Sequence, residues 1–149
     1  MRSIFDERIA PLRKDITAFG KSFGDVLTMA SIIEKESNTS TDRRIIAGIL
    51  WKRLAKDMPL QVDPPFHYAL NKASAQVTYD DIATDTPYNL YKHPGLPPTP
   101  IDNPSLETIR DTITPTKTAY WFYLSDEKGD MHYAETYDQH LVNKAKYVR

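Results

Sequence analysis

Two helical segments joined by a very short turn are the feature that most constrains how this chain folds. The first is predicted over residues 25–37 and the second over residues 42–56. Asp25 is the predicted N-cap of the first segment, and Ser40 or Thr41 is the predicted N-cap of the second. Because so little chain separates the two segments, we predict that they pack together as a helical hairpin or corner.

The second segment is amphipathic. Its apolar side carries Ile45, Ile46, Ile49, Leu50 and Leu54. Its other side carries Arg43, Arg44, Lys52 and Lys56. This pattern predicts a helix with one face buried against a core.

The flanking parts of the chain complete an α+β prediction. Apolar residues at helical spacing fill the first twenty positions, and Pro11 predicts a break or kink near Ala10. Between residues 58 and 86 the chain is mixed, and the Pro64-Pro65 pair predicts no regular central element there. A proline-rich loop follows over residues 87–104.

The last third of the chain predicts a helix, a hairpin and a helix. Asn103 followed by Pro104 indicates the start of a helix that runs to about residue 113. An aromatic, alternating strand is predicted over 118–125, with a turn at 127–130 and a return strand over 131–135. The aromatic side chains of the first strand are interpreted as core. Thr136 is the predicted cap of a final helix. The predicted fold is therefore a helical hairpin packed with a small antiparallel sheet and a C-terminal helix.

Composition narrows the classes of function. The 149 residues are enough for one domain with a single core. A formal net charge of −1 disfavours nucleic acid as a partner, because no overall field attracts a polyanion. The absence of cysteine excludes disulfides, thiolate metal sites and a cysteine nucleophile. No run of about 18 apolar residues occurs, so we expect no membrane span and a soluble chain. The four histidines lack metal-ligand spacing, and we predict neither metal nor cofactor.

The most informative side chain is a glutamate on the apolar side of the first helical segment. Glu36 shares that side with Met29, Ile32 and Ile33, whereas Glu34 lies about 200° away around the helix. Desolvation and the negative end of the helix dipole both favour the protonated form of Glu36. A glutamic acid that keeps its proton near neutral pH can donate it to a glycosidic oxygen.

Periodicity alone, however, favours a structural role for Glu36. The carboxylate can pair with an arginine of the second helix or cap a turn, and structural ion pairs also perturb pKa values. The helical pattern by itself therefore leaves both roles open.

Short blocks in a fixed order add a family resemblance. They are ASIIEKES at 30–37, LQVDP at 60–64, YNLY at 88–91, GLPPTPIDNP at 95–104 and PTKT at 115–118, followed by the aromatic strand and residues 136–140. Together they resemble the YceG-like family, the endolytic murein transglycosylases. The departures are Thr99, where glycine is usual, and residues 65–67, where smaller or β-branched residues are common; they affect the expected shape of one subsite.

The resemblance implies a peptidoglycan lytic transglycosylase without a cofactor. Such an enzyme cleaves the β-1,4 bond between N-acetylmuramic acid and N-acetylglucosamine and leaves a 1,6-anhydro end. Glu36 would protonate the leaving oxygen and then act as base on the muramic C6 hydroxyl. The Glu36-Ser37 pair also resembles the catalytic Glu-Ser of lysozyme-like lytic transglycosylases, which is why Glu34 is interpreted as structural.

The other blocks supply candidate substrate-binding residues, each with an alternative. Gln61 and Asp63 are expected to orient Glu36 or the sugar N-acetyl group, although Asp63 is equally expected in a capping or turn role beside Pro64. The remaining candidates are Tyr88, Asn89, Tyr91, Asn103 and Lys117. Packing is the more common role for tyrosines, helix capping for Asn103, and simple solvation for an exposed lysine.

Two other functions and a domain division complete the expectations. The alternatives are a muramidase-type hydrolase, with Asp63 as the second carboxylate, and a non-catalytic wall-binding module. Residues 1–24 are interpreted as a lead-in from a missing N-terminal part, and residues 25–149 as the catalytic domain. The resemblance further implies an anchored full-length protein on the outer face of the cytoplasmic membrane, with peptidoglycan strands as substrate and cell-wall synthases as candidate partners.

Overall fold

The computed structural model describes residues 2–72, 76 and 78–148. In chain order its elements are α1 (Arg2–Phe19), α2 (Phe23–Glu36), α3 (Ser40–Ala55), α4 (Pro64–Leu70), α5 (Tyr79–Ala83), α6 (Leu106–Ile113), β1 (Phe122–Ser125), β2 (Met131–Ala134) and α7 (Tyr137–Tyr147). Helices packed beside a two-stranded antiparallel sheet confirm the α+β prediction.

Helix α2 lies at the centre of the helical part. It contacts α1, α3, α4 and α6, and its residues from Thr28 to Ile33 are all buried. Packing partners surround the helix, so burial extends beyond the side that carries Met29, Ile32 and Ile33. The buried Ser31 is satisfied internally: its hydroxyl donates to the carbonyl of Thr28 at 2.7 Å and accepts the N–H of Ile101 at 3.0 Å.

The predicted break at Pro11 is also wrong, because α1 is continuous through it. Pro11 lies on the exposed face of the helix, as does Glu7, whose carbonyl loses its helical donor and can be hydrated. The opposite face carries the buried residues Ile9, Leu12 and Ile16. The lead-in segment therefore contributes to the same core as the other helices, and the division at residue 24 stays a prediction.

Three helix starts differ from the predicted ones by a few residues. The N-caps are Ser22 for α2, Thr39 for α3 and Ser105 for α6, where Asp25, Ser40 or Thr41, and Asn103 were predicted. In each case a hydroxyl oxygen accepts the backbone N–H three residues later. Several polar residues compete at each start, and local sequence does not decide among them. The cap predicted at Thr136 is confirmed.

The Pro64-Pro65 pair begins a helix, which corrects the prediction of no regular element. These prolines occupy the first turn of α4, where the missing N–H groups would have no helical acceptor. Asn71 ends the helix in the left-handed region at φ 52°. Helix α4 packs on α2, which brings its first residues close to the C-terminal end of that helix.

The sheet is a hairpin in which Tyr123 is opposite Tyr133. Its first strand spans 122–125 and not the predicted 118–125. Side chains of α3 explain the difference, because they bind carbonyls that a longer strand would use. The Lys52 ammonium donates to the carbonyls of Thr118 and Tyr120, at 2.9 and 2.6 Å.

A close backbone approach holds this segment against α3. The N–H of Thr116 donates to the carbonyl of Arg44 at 2.9 Å. A Cβ atom on Gly48 would lie 2.1 Å from the carbonyl oxygen of Thr116. Only glycine allows this approach, which positions the following hairpin beside α3. Helix α7 then packs against both strands of the hairpin.

Candidate active site

Glu36 is the last residue of α2, at the surface of the core. Burial, and secondarily the negative charge of Asp63, raise the pKa of its carboxyl to about 8, against the opposing effect of the nearby Tyr123 hydroxyl. The group therefore keeps its proton at neutral pH. The next residue, Ser37, ends the helix, and its hydroxyl accepts the N–H of Thr39 at 3.3 Å.

Two pockets meet at Glu36. The first, of about 630 Å³, extends along α4, and the second, of about 530 Å³, lies between α3, the hairpin and α7. Glu36 and Asp63 line both. We define the two pockets together as the groove. Because Glu36 lines both arms, a ligand that occupies both arms would contact this residue.

Asp63 is bound to a tyrosine and does not cap the helix that it precedes. The Tyr91 hydroxyl donates to the Asp63 carboxylate at 2.6 Å, and the Asp63 side chain makes no capping hydrogen bond to α4. Burial, followed by this hydrogen bond and the nearby carboxylates, raises the pKa of Tyr91. Of the two roles expected for Asp63, the structure therefore supports a position in the groove.

Gln61 lies in the second arm of the groove in an unusual backbone conformation. Its φ is 54°, in the left-handed region that residues with a side chain rarely occupy, and its N–H donates to the carbonyl of Leu90 at 3.0 Å. Gln61 is thus a strained residue two positions before Asp63, and Gln61 is exposed. Such strain is found at functional sites more often than elsewhere.

The YNLY block has two fully buried residues, Asn89 and Leu90, and two tyrosines near the groove. Asn89 is fully buried, and its amide donates to the carbonyls of Ile82 and Thr84 and accepts the N–H of Tyr91. This amide shapes the loop, and its predicted sugar contact stays a prediction without support from the geometry. Tyr88 binds the Thr99 hydroxyl at 2.9 Å and packs against Tyr68, a residue of the first arm.

Like Tyr88 and Asn89, two more predicted binding residues lie outside both pocket linings. Asn103 is exposed and precedes the Ser105 cap. Lys117 is exposed on the segment held against α3. Their roles as substrate contacts stay predictions, and the structure does not bring either of them to Glu36.

Glu34 lies on a different side of α2, as predicted. Its carboxylate accepts the backbone N–H and the hydroxyl of Ser105, each at 3.3 Å. It thereby joins α2 to the start of α6. This geometry agrees with the structural interpretation of Glu34 and separates it from the groove.

The site contains residues that the sequence reasoning missed. They are Arg53, Phe122, Tyr123, Tyr137, His140 and Lys144. The aromatic strand was interpreted as core, although its residues contribute to the second arm. Its alternation was the available signal, because alternate residues of a strand face opposite sides and one side can face a site.

Arg53 is the buried cation of the second arm. Its guanidinium makes four hydrogen bonds to backbone carbonyls, those of Trp121, Pro59 and Leu60. Among the described residues no carboxylate pairs with it, and burial lowers its pKa. Arg53 therefore joins α3 to residues 59–60 and to the segment that enters the hairpin, and it contributes positive charge to the second arm.

Two further features of the described ranges concern metals and membranes. No group of three His, Cys, Asp or Glu side chains in these ranges could hold a metal ion. No helix there is long and apolar enough to cross a membrane.

Known proteins similar to this chain share its sequence over most of its length. The sequence model of the YceG-like family matches residues 1–146. A relative from Streptococcus pneumoniae serotype 2 (strain D39 / NCTC 7466), named endolytic murein transglycosylase, is 36% identical over 154 residues, 99% of this chain and 28% of the relative. A relative of the same name from Bacillus subtilis (strain 168) is 41% identical over 123 residues, 83% of this chain and 34% of the relative. The chain thus spans about a third of these relatives.

A solved structure agrees with the sequence matches. The crystal structure of a yceG-like protein from Listeria monocytogenes matches with a TM-score of 0.88 and 40% identity, covering 95% of this chain and 47% of the other. The matched family model covers nearly every residue described above, including both arms of the groove. The chain therefore belongs to the YceG-like family.

Proposed function

We propose that this chain is the catalytic part of an endolytic lytic transglycosylase that cleaves the glycan strands of bacterial cell wall. The observation that carries the proposal is the position of the half-buried Glu36, where the two arms of the groove meet, with the pKa of its carboxyl raised to about 8 by desolvation. The names of the relatives, endolytic murein transglycosylase, support the choice of substrate.

In the first step Glu36 acts as an acid. It donates its proton to the oxygen of the β-1,4 bond between N-acetylmuramic acid and N-acetylglucosamine, and that bond breaks as positive charge develops at the muramic C1. A pKa of about 8 keeps the proton available at neutral pH. We expect activity to fall as the pH rises through about 8, because the deprotonated form cannot perform this step.

In the second step the same carboxyl acts as a base. It accepts the proton of the muramic C6 hydroxyl while that oxygen bonds to C1, so the ring closes to the 1,6-anhydro product and Glu36 regains its proton. No water is activated, so the reaction requires one carboxyl and not the pair of most glycosidases.

The groove supports cleavage within a strand and not only at its end. Each arm can bind sugars on one side of the glycosidic bond that Glu36 protonates. Aromatic rings are available on both sides, Tyr68 in the first arm and Phe122 and Tyr137 in the second. Gln61, Asp63 and Tyr91 are the proposed polar contacts nearest to the reacting sugar.

Product analysis tests the reaction. Purified sacculi are digested with the chain, and the new ends are identified by mass spectrometry. We expect 1,6-anhydro ends on internal fragments. Ends that carry an added water would contradict the transglycosylase proposal, and release of only terminal disaccharides would contradict the endolytic part.

The second candidate is a hydrolase of the same bond, favoured by one observation. Asp63 lines both arms beside Glu36, where a second carboxylate could activate water. Its hydrogen bond from Tyr91 supports a positioning role instead. The same product analysis separates the two, because hydrolysis gives reducing ends. A wall-binding module would give no product and would bind glycan equally well after Glu36→Gln.

We further propose residues 25–149 as the catalytic part of a longer protein on the outer face of the cytoplasmic membrane, where it would meet cell-wall synthases. Support comes from the relatives, of which this chain spans 28–34%. Fractionation of cells expressing the full-length protein tests the location, and recovery with the cytosol would contradict it.

A further inference from the structure

The Tyr123 hydroxyl is a buried polar group with no evident structural use. It belongs to β1, and its ring packs against the hydrophobic core. Among the described residues its oxygen makes no hydrogen bond of ordinary geometry, although a buried hydroxyl without a partner is costly. It is nevertheless close enough to Glu36 to affect that carboxyl, and both residues line the second arm of the groove.

We propose that Tyr123 is a positioning residue whose hydroxyl donates a hydrogen bond to the ionised Glu36 carboxylate between the acid and the base step. The inference rests on the proposed function for its place in the reaction. It gives a role to the Tyr123 hydroxyl, which lacks a hydrogen-bond partner within the described part of the chain. It also adds to the site a residue that the sequence analysis interpreted as core.

The reaction needs such a donor at one moment. When Glu36 has given up its proton, a carboxylate remains in a buried position near the negative charge of Asp63. The Asp63 carboxylate cannot donate, and Arg53 directs its guanidinium to backbone carbonyls. The Tyr123 hydroxyl is uncommitted and adjacent, and hydrogen bonds to an ionised acceptor are the stronger kind.

The hairpin holds the ring in place. Tyr123 lies opposite Tyr133 across the two strands, and the Tyr133 hydroxyl donates to Asp42 at 2.6 Å, which fixes the hairpin to the start of α3. Burial, followed by the charge of Glu36, raises the pKa of Tyr123 well above its ordinary value. The phenol therefore remains a donor over the working pH range and does not itself ionise.

Several charged or titratable groups face this pair from the surrounding elements and enter any pH dependence. They are Asp63 beside α4, Tyr91 in the proline-rich loop, Arg53 on α3, and His140 and Lys144 on α7. All remain in place when only the Tyr123 oxygen is removed, so a single-atom change isolates its contribution.

The first measurement does not depend on catalysis. The chain is labelled with 13C at glutamate carboxyls and titrated by NMR, with Glu36→Gln to assign the resonance. Tyr123→Phe is expected to raise the pKa of Glu36, because it removes a donor to the carboxylate. Tyr79→Phe, which deletes the hydroxyl of an exposed tyrosine outside the groove, is expected to leave it unchanged. An unchanged Glu36 pKa in Tyr123→Phe overturns the inference.

A second substitution keeps the test informative if Tyr123→Phe fails to fold. Incorporation of 3-fluorotyrosine at position 123 retains the hydroxyl and makes it a stronger donor. The pKa of Glu36 is then expected to fall, the opposite direction to the phenylalanine variant. A rise or no change contradicts the inference, because a purely structural ring would not produce this fall.

Kinetics complete the test. In Tyr123→Phe we expect kcat to fall roughly tenfold to hundredfold, the loss of one hydrogen bond to a charged group, with KM nearly unchanged and the alkaline limb of the rate profile at higher pH. A raised KM with unchanged kcat would assign Tyr123 to substrate binding and overturn the inference. A Glu36 pKa that shifts as expected in a chain without lytic activity would instead contradict the proposed function alone.

Discussion

Two carboxyl groups of the helical part are shielded from water but have different neighbouring groups. Asp111 of α6 is 5% exposed, and its two oxygens accept from the Ser40 hydroxyl and from Nε of Arg43, each at 2.7 Å. Glu36 of α2 makes no salt bridge among the described residues, and the charge that shifts its pKa is the negative Asp63.

This difference distinguishes a carboxyl with a structural role from a carboxyl that can take part in catalysis. The Asp111 carboxylate, held by the Ser40 hydroxyl and Arg43, joins α6 to α3, and removing it leaves the buried Arg43 charge uncompensated. A buried carboxyl without a cation keeps its proton instead, and that proton is available to a substrate. The predictions below test this division, beginning with the largest effect.

Glu36→Gln is expected to lower the rate of anhydro-end formation by about a thousandfold, the typical contribution of general acid–base catalysis. The amide has nearly the same shape but has no acidic proton. The rate is measured as anhydro ends released from sacculi per unit time. Glu34→Gln is the matched control, since Glu34 contacts Ser105 outside the groove, and it is expected to retain nearly full activity. The reverse pattern would show that the roles of the two glutamates are exchanged.

Asp111→Ala is expected to lower the free energy of unfolding by about 3 kcal/mol, because it leaves Arg43 buried without its main partner. Urea denaturation measures the change. Glu107→Ala is the control: Glu107 also pairs with Arg43, at 3.0 Å, but its side chain is 66% exposed. Its removal is expected to cost less than about 1 kcal/mol. Equal losses in the two variants would contradict the distinction between the buried and the exposed pair.

Stability is expected to depend on pH through Glu36. Its folded-state pKa of about 8 lies above the ordinary 4.5, so its contribution is complete below about pH 4.5 and is lost as the pH rises through 8. Between pH 6 and 8 the free energy of unfolding of the unsubstituted chain should fall by about 2 kcal/mol relative to Glu36→Gln. Urea denaturation at both values measures this. Parallel changes in the two proteins would mean that the carboxyl is not desolvated.

Ser40→Ala is expected to cost about 1 kcal/mol of stability, because it removes one donor to Asp111 and leaves the pair with Arg43 in place. Thermal unfolding followed by circular dichroism measures the loss. The neighbouring exposed Thr41, replaced by alanine, is the control and should change stability by only a few tenths of a kcal/mol. If Ser40→Ala lowers stability nearly as much as Asp111→Ala, the Ser40 hydroxyl and not Arg43 provides most of the stabilisation of Asp111.

Much of the fold could be predicted from local sequence, and the errors have local causes in some elements and distant contacts in another. Periodicity located α1, α2 and α3, and the correctly predicted cap at Thr136 located α7. The other caps were misplaced because several polar residues compete near each start. Helix α4 was missed because a proline pair disrupts the interior of a helix or strand but is also compatible with the first turn of a helix. The first strand was overestimated because Lys52 binds the carbonyls of Thr118 and Tyr120, a contact more than sixty residues away in sequence.

The candidate site was predicted in part. Sequence pattern singled out Glu36 and named Asp63 and Tyr91, which the structure joins to each other beside Glu36. Asn89 was selected from a family block, whereas the structure uses its amide inside a loop. Tyr123 was assigned to the core, because a strand's pattern does not indicate whether a half-buried side faces other side chains or a groove.

The sequence by itself determined which helix face carries Glu36 and how that face differs from the position of Glu34, because helical geometry is local and repeats every few residues. The tertiary structure alone decided which groups surround the carboxyl. Asp63, Tyr91 and Tyr123 come from segments distant in the chain, and folding brings them to one place. A pKa near 8 depends on that assembly, since desolvation requires atoms from several elements to exclude water at once.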